Sequence, residues 1–149
     1  MKITKRGEYA LRALLALASK YPQAKLSLRQ ISKEERLPVK FLEQIMMTLK
    51  QARLVQSTKG KHGGYLLARA PSKIMLGEII RTIDGPLAPL ETGEEIRKKI
   101  QKEERHPGLY FVLFDVRNAI AAIVDKTSLA DVCEKSKDLS QRKNVMYYI

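Results

Sequence analysis

Over most of its length the chain alternates apolar and polar residues with a helical period. Between Thr4 and about Lys20, Tyr9, Ala10, Ala13, Leu14 and Leu17 recur at helical spacing. They predict a helix capped by Thr4 and ended by Tyr21-Pro22. Ser27 opens the next segment and Gln30 follows three residues later, a capping-box signature, with Leu28 and Ile31 on the inward side. Glu35-Arg36-Leu37 makes a turn, and Pro38 suits the first position of a third helix. There Leu42, Ile45, Met46 and Leu49 form the apolar stripe, and Lys40, Glu43, Gln44 and Met47 point the other way.

The period then changes. Leu54–Thr58 and Tyr65–Ala68 are short strand patterns separated by Lys59-Gly60-Lys61-His62-Gly63-Gly64, which predicts a two-stranded ribbon with a glycine-rich tip. Pro71 stops the ribbon, Ile74–Ile83 is helical again, and Asp84-Gly85-Pro86 closes it. Leu87–Leu90, with prolines nearby, reads as a linker. Glu94–Glu104 is a charged helix with Glu94–Lys98 and Glu95–Lys99 at i,i+4. Pro107 opens a long helix to about Lys126, in which Leu109, Leu113, Val116, Ile120 and Ile123 alternate by four and three residues as an a/d seam. Such a seam is buried either in its own subunit or against a second copy. A homodimer is the expectation, because little else in the C-terminal half is apolar enough to cover it. Ser128-Leu129-Ala130-Asp131 caps a last short helix. The predicted class is mainly α with a small β-hairpin wing: a winged helix-turn-helix DNA-binding domain over residues 1–86, then linker, dimerisation helix and C-terminal tail over 87–149.

Charge sharpens this picture. Residues 1–84 carry 17 Lys/Arg against 6 Asp/Glu, a net +11; residues 85–149 carry 11 against 10, a net +1. The first half is a polyanion binder by charge, and nucleic acid is the expected partner. The basic residues are not confined to one face opposite an aromatic one, which disfavours a membrane-surface helix. No apolar run approaches the ~20 residues that span a bilayer. Met1-Lys2-Ile3-Thr4-Lys5-Arg6 lacks a signal peptide's apolar run. A cytoplasmic chain without membrane association is therefore expected. One cysteine, Cys133, allows neither a disulfide framework within the chain nor a cysteine zinc site, and it fits a reducing compartment. His62, His106 and Cys133 are too few and too far apart for a metal site. No nucleophile–base–orienter set is recognisable, so neither a cofactor nor catalysis is expected.

A major groove about 12 Å wide admits one helix, and outward residues near its N-terminus reach base edges. On the third helix these are Lys40, which suits guanine acceptors, Gln44, which suits adenine, and Glu43, which accepts from cytosine and repels phosphate. Ser27 at a helix N-terminus is placed for phosphate. At the wing tip Gly60, Gly63 and Gly64 permit close backbone approach, and Lys59, Lys61 and His62 add donors for phosphate or a narrow minor groove. GKHGGY lacks the spacing and the following Lys-Ser/Thr of a nucleotide-binding P-loop. Two rivals stay open. One is a sequence-indifferent architectural binder; the other is a small-molecule- or redox-gated regulator of another pathway.

Five segments carry a family resemblance: TKRGEYALRALLALA (4–18), FLEQI (41–45), ARLVQSTKGKHGGYLLARAPSKI (52–74), LGEIIRTIDGPLAPLE (76–91) and TSLADV (127–132). Together they are similar to the Rrf-two family of bacterial winged-helix transcription regulators. The resemblance implies a homodimer crossed through the long helix, bound to double-stranded DNA at an imperfect inverted repeat. Several members hold an iron–sulfur cluster through three cysteines just before that helix. The matching segment here, TGEEIRKKIQKEERHPG, has none, so no thiolate-held cluster is expected. Among cluster-free members the likeness is to a branch that represses cysteine-metabolism genes, through GPLAPLE and the terminal NVMYYI. In that branch the regulator pairs with cysteine synthase, the O-acetylserine thiol-lyase. Arg36 and Arg53 stand where the family usually has glycine, and Lys59 where the wing usually has arginine.

The end of the chain, Val145 to Ile149, is apolar after the polar run Lys137 to Asn144. It either covers the C-terminal core or serves as a docking peptide, with Tyr147, Tyr148 and the Ile149 carboxylate entering a partner's amino-acid pocket. Cys133 is either a small buried hydrophobe or a redox-sensing thiol.

Overall fold

The computed structural model describes residues 3–87, 93–102 and 105–147. Helix α1 (Lys5–Lys20) is the hub: α2 (Leu28–Glu35), α3 (Val39–Gln51), α4 (Leu76–Asp84), α7 (Leu129–Tyr147) and strand β2 (Gly64–Leu67) all pack on it. Ala10, Ala13, Leu14 and Leu17 form its fully buried side. The small residues let neighbouring helices approach closely. Thr4 caps α1 by accepting from the Gly7 N–H at 3.0 Å, and its own N–H donates to Asp84 at the end of α4. A Cβ at Gly7 would lie 2.1 Å from Asp84 Oδ2, so any side chain there would push that carboxylate off its bonds to Thr4. α1 stops where Tyr21, preceding a proline, takes an extended backbone.

The capping box of α2 is complete: Ser27 accepts from the Gln30 N–H at 3.2 Å and Gln30 accepts from the Ser27 N–H at 2.8 Å. Pro38 sits one residue earlier than expected, as the N-cap of α3 rather than inside it. Strands β1 (Val55–Thr58) and β2 pair antiparallel, Val55 opposite Leu67 and Thr58 opposite Gly64. α4 begins at Leu76, not Ile74. Ile74 and Met75 are extended because their backbone serves the α6–α7 turn: the Leu129 N–H donates to Ile74 at 3.0 Å, and the Leu76 N–H donates to Thr127 at 2.9 Å.

α5 (Gly93–Gln101) lies on α6 (Pro107–Val124), with Arg97 over the Phe114 ring at 5.1 Å and Lys99 over the Tyr110 ring at 5.2 Å. Glu94 pairs with Lys98 at 3.0 Å as expected. Ile80, Leu87 and Val124, with Ile120 beside them, join α4 to α6. The last helix is not short. α7 runs 19 residues, through the polar stretch that read as a tail. Ser128 and Asp131 cap it reciprocally. Leu129 and Cys133, from the 87–149 segment, join the core around α1. Beyond its first turns, solvated helix formers carry α7 without an apolar period. Tyr148 and Ile149 of the expected docking peptide, and 88–90 of the linker, lie outside the described residues; Tyr147 is the last residue of α7.

α6 presents two apolar faces. Leu113 and Ile120 of the expected seam turn toward their own subunit and are half-buried. Leu109, Val116 and Ile123 are exposed, in line with Val112 and Ala119. The bare stripe thus steps 109, 112, 116, 119, 123, and Val112 at 58% and Ile123 at 69% exposure are its most open members. By length and composition α6 is also long and apolar enough to cross a bilayer, at 18 residues and mean hydropathy 1.4. Asp115 and Arg117 interrupt it, so no unbroken apolar run of that length exists in the sequence.

Candidate nucleic-acid interface

The α2–turn–α3 unit is set by a left-handed residue. Arg36 (φ 52°, ψ 49°) ends α2, donating its N–H to Ser32. The Leu37 N–H also donates to Ser32, at 3.0 Å, and Leu37 is buried. This pins the start of α3. Arg12 fixes the same corner from α1 through the Glu35 carboxylate at 3.3 Å and the Glu35 carbonyl.

With Leu42, Ile45, Met46 and Leu49 fully buried, α3 turns Lys40, Glu43, Gln44 and Met47 to solvent. The three expected base readers therefore lie on one exposed face, with Met47 at 61% exposure among them. Arg6 flanks this face from α1. It donates to Thr48 Oγ1 at 2.9 Å, and that hydroxyl donates to the Gln44 carbonyl at 3.1 Å. Sequence reasoning did not mark Arg6. Its signal was a cation in the first turn of a helix whose other face is buried.

The wing is tied to the start of α2. The Leu26 N–H donates to Tyr65 at 3.0 Å and the Tyr65 N–H donates back at 2.8 Å. Ser27, the next residue, is half-buried in this junction. Lys59, Lys61 and His62 are exposed at the tip. The glycines also answer to contacts within the wing itself. A Cβ on Gly63 would meet the Thr58 carbonyl at 2.2 Å, and one on Gly64 would meet the Leu26 carbonyl at 2.9 Å. Both are demanded by the protein's own backbone. Only Gly60 (φ 106°) faces open space.

Among the described residues, Lys40, Lys50, Arg53, Lys59 and Lys61 form no ion pair. Arg12, Arg69 and Arg81 pair with Glu35, Glu78 and Asp125, each tying two parts of the chain together. Around α3 and the wing these cations are thus not tied up in ion pairs, and Glu43 is the one carboxylate on the exposed α3 face, which leaves the surface net positive as phosphate binding requires. The sole thiol lies elsewhere. Cys133 on α7 is half-buried, and burial pushes its pKa up against a smaller opposing effect of Lys137, which leaves less thiolate for redox chemistry.

A helix-turn-helix followed by a basic two-stranded wing defines the winged-helix class of DNA-binding regulators. Residues 3–135 match the Rrf2 family, described as an iron-dependent transcriptional regulator, and the chain belongs to that family. It is 32% identical over its 149 residues to the HTH-type transcriptional regulator CymR of Bacillus subtilis, with all of both chains covered. The solved structure of that protein, titled the global cysteine regulator, superposes with a TM-score of 0.78 over 91% of this chain and 98% of that one, at 32% identity. IscR of T. potens superposes with a TM-score of 0.70 at 29% identity, over 93% and 90%. The chain is thus a DNA-binding transcription regulator and not an enzyme. The iron in the family description does not fit its residues. There is one cysteine, placed on α7, and among the described residues no three His, Cys, Asp or Glu side chains converge as a metal site.

Proposed function

We propose that the protein is a cytoplasmic, cluster-free, homodimeric repressor of cysteine or sulfur metabolism genes that binds an imperfect inverted repeat. Lys40, Glu43 and Gln44 read bases in the major groove. Ser27, Lys59, Lys61, His62 and the Gly63 backbone hold phosphate or minor groove. The observation that carries the dimer is the bare α6 stripe. Leu109, Val112, Val116 and Ile123 stand exposed at heptad spacing. Fully covering one such side chain yields roughly 1.5–3 kcal/mol, so a pair of stripes supplies a strong drive for association. The full-length similarity to B. subtilis CymR supports the pathway.

Selection of bound genomic fragments by the purified protein tests this reading. Enrichment of a palindrome near sulfur-assimilation genes is the expected result, and a palindrome elsewhere removes the pathway. Gln44→Ala should weaken specific sites by about 1–3 kcal/mol and relax choice at one base pair. Equal loss on random DNA contradicts a reading role. The proposal extends to cysteine synthase as a partner engaged through Tyr147, Tyr148 and Ile149. Deleting Ile149 should abolish pairing and leave DNA affinity intact.

A further inference from the structure

Arg53 follows α3 in the left-handed region, at φ 57°, where a side chain is disfavoured and glycine is free. Its N–H donates to Lys50 at 3.0 Å, and the Leu54 N–H closes the helix end onto Leu49 at 2.9 Å. These are backbone bonds that any residue would make, so nothing in the turn calls for a guanidinium. Arg53 is exposed and, among the described residues, has no carboxylate partner.

It does line an open cleft of about 440 Å³ between the end of α3 and the wing, with Lys50, Gln56 and Ser57. Two unpaired cations, an amide and a hydroxyl face the same space, and the carboxylate-free lining suits an anion. The position of the cleft says which anion. A helix about 10–12 Å across fills a major groove, and a basic hairpin tip beside it reaches the neighbouring minor groove. The strand that separates those two grooves must then run between helix and hairpin. The cleft opens in that interval, at the end of α3 and along the first wing strand, Val55 to Ser57.

We propose that the cleft seats the phosphodiester backbone between the two grooves, with Arg53 and Lys50 as its phosphate-binding residues. The inference rests on the DNA-binding reading above and adds a contact beyond the base readers Lys40, Glu43 and Gln44 and the wing tip, made by Lys50 in the last turn of α3 and by Arg53 just past its end. It also explains a strained arginine: the side chain is kept for what it binds, at a cost to the fold.

The test uses the full-length protein and a labelled 30-base-pair duplex of random sequence, titrated between about 50 and 200 mM salt. A phosphate contact is sequence-independent, so no operator is needed. Arg53→Gly should raise the melting temperature, because the strain is relieved, while weakening DNA binding. The slope of log K against log salt should flatten by about 0.9 for each engaged subunit, which is about eightfold in affinity at 0.1 M salt. Arg53→Lys should restore most of the slope. Lys50→Gln, inside a regular helix, should flatten it in the same way, and it decides the matter should Arg53→Gly not fold. If wild type binds the duplex and both Arg53→Gly and Lys50→Gln keep its affinity and slope, the cleft assignment is overturned and the DNA-binding reading survives. If wild type binds no duplex at any salt, the DNA-binding reading itself falls, and the cleft with it.

Discussion

Arg36 offers a clean measurement of what the helix-turn-helix corner costs. Its backbone is left-handed at φ 52° and ψ 49°, and its exposed guanidinium has no ion-pair partner among the described residues. A left-handed L-residue costs roughly 1–2 kcal/mol. Glycine escapes that cost but gives back about 0.5–1 kcal/mol through the greater freedom of its unfolded chain. The two hydrogen bonds onto Ser32 come from backbone N–H groups and survive the change. Arg36→Gly should therefore stabilise the protein by about 0.5–1 kcal/mol, or about 1–4 °C in melting temperature for a chain of this size. Arg36→Asn, which tolerates the left-handed region better than arginine, should fall between. Urea unfolding followed by far-ultraviolet circular dichroism reads the difference as a shift in midpoint at unchanged slope. Protein concentration must be matched, because association of the proposed dimer would contribute to apparent stability. A lower midpoint for the glycine variant would refute the strain argument. It would mean that the guanidinium stabilises the fold by more than its backbone costs.

Three further outcomes follow from the packing. Gly7→Ala should destabilise by about 1–2 kcal/mol, since its Cβ displaces the Asp84 carboxylate that receives the Thr4 N–H and hydroxyl. A melting curve identical to wild type would exclude that crossing. Val112→Glu should convert the proposed dimer to monomers by light scattering while leaving the circular dichroism spectrum intact, whereas Ile120→Glu should disturb folding through the Ile80–Leu87–Val124 cluster; the reverse outcome would favour the seam through Leu113 and Ile120. The Arg81 hydrogen bond holds the Asp125 carboxyl below its usual range. A depressed folded pKa gives stability that is present above the unfolded value near 3.9 and is lost as pH falls through the lower folded value. Asp125→Asn should therefore show a shallower loss of stability below about pH 4, and an unchanged acid limb in urea titrations would discount the pair.

The elements of the reading head were legible in the sequence because their signals are local. The Ser27–Gln30 capping box, the Leu42–Leu49 stripe and the glycine tip each specify a conformation within a few residues, and each recurs in the structure. Three features were not legible, for separate physical reasons. The start of α4 moved because Ile74 and Met75 spend their backbone on the α6–α7 turn, a contact about fifty residues away in sequence. The length of α7 was missed because a solvated helix of good formers carries no apolar period. The sequence leaves the register of the α6 seam open because both of its long faces are apolar: heptads from Leu109 can step 4-3 through Leu113 and Ile120, or 3-4 through Val112 and Ala119. Contacts from outside the helix turn one face inward: Arg97 on Phe114, Lys99 on Tyr110, and Ile120 against the Ile80–Leu87–Val124 cluster. The cleft at Arg53 had one sequence trace, an arginine where relatives resembling this chain usually carry glycine.

The wing and the start of α2 are a single mechanical piece, and this constrains how the proposed DNA contacts vary. The paired hydrogen bonds between Leu26 and Tyr65, at 3.0 and 2.8 Å, fix the ribbon one residue before the Ser27 cap. Gly64 lets the two backbones meet, since any Cβ there would lie 2.9 Å from the Leu26 carbonyl. Lys59, Lys61 and His62 are therefore not carried on a free loop; the base of their ribbon is set by the same bonds that orient α2 and, through Leu37 and Arg36, the α3 face with Lys40, Glu43 and Gln44. Spacing between the α3 face and the wing tip is then a property of backbone hydrogen bonds, whereas the chemistry proposed at either end is a property of exposed side chains. Exchanging the side chains should retune sequence choice or salt dependence at constant geometry. Loosening the Leu26–Tyr65 bridge should instead cost all DNA contacts together, because the probes would no longer be held at a fixed separation.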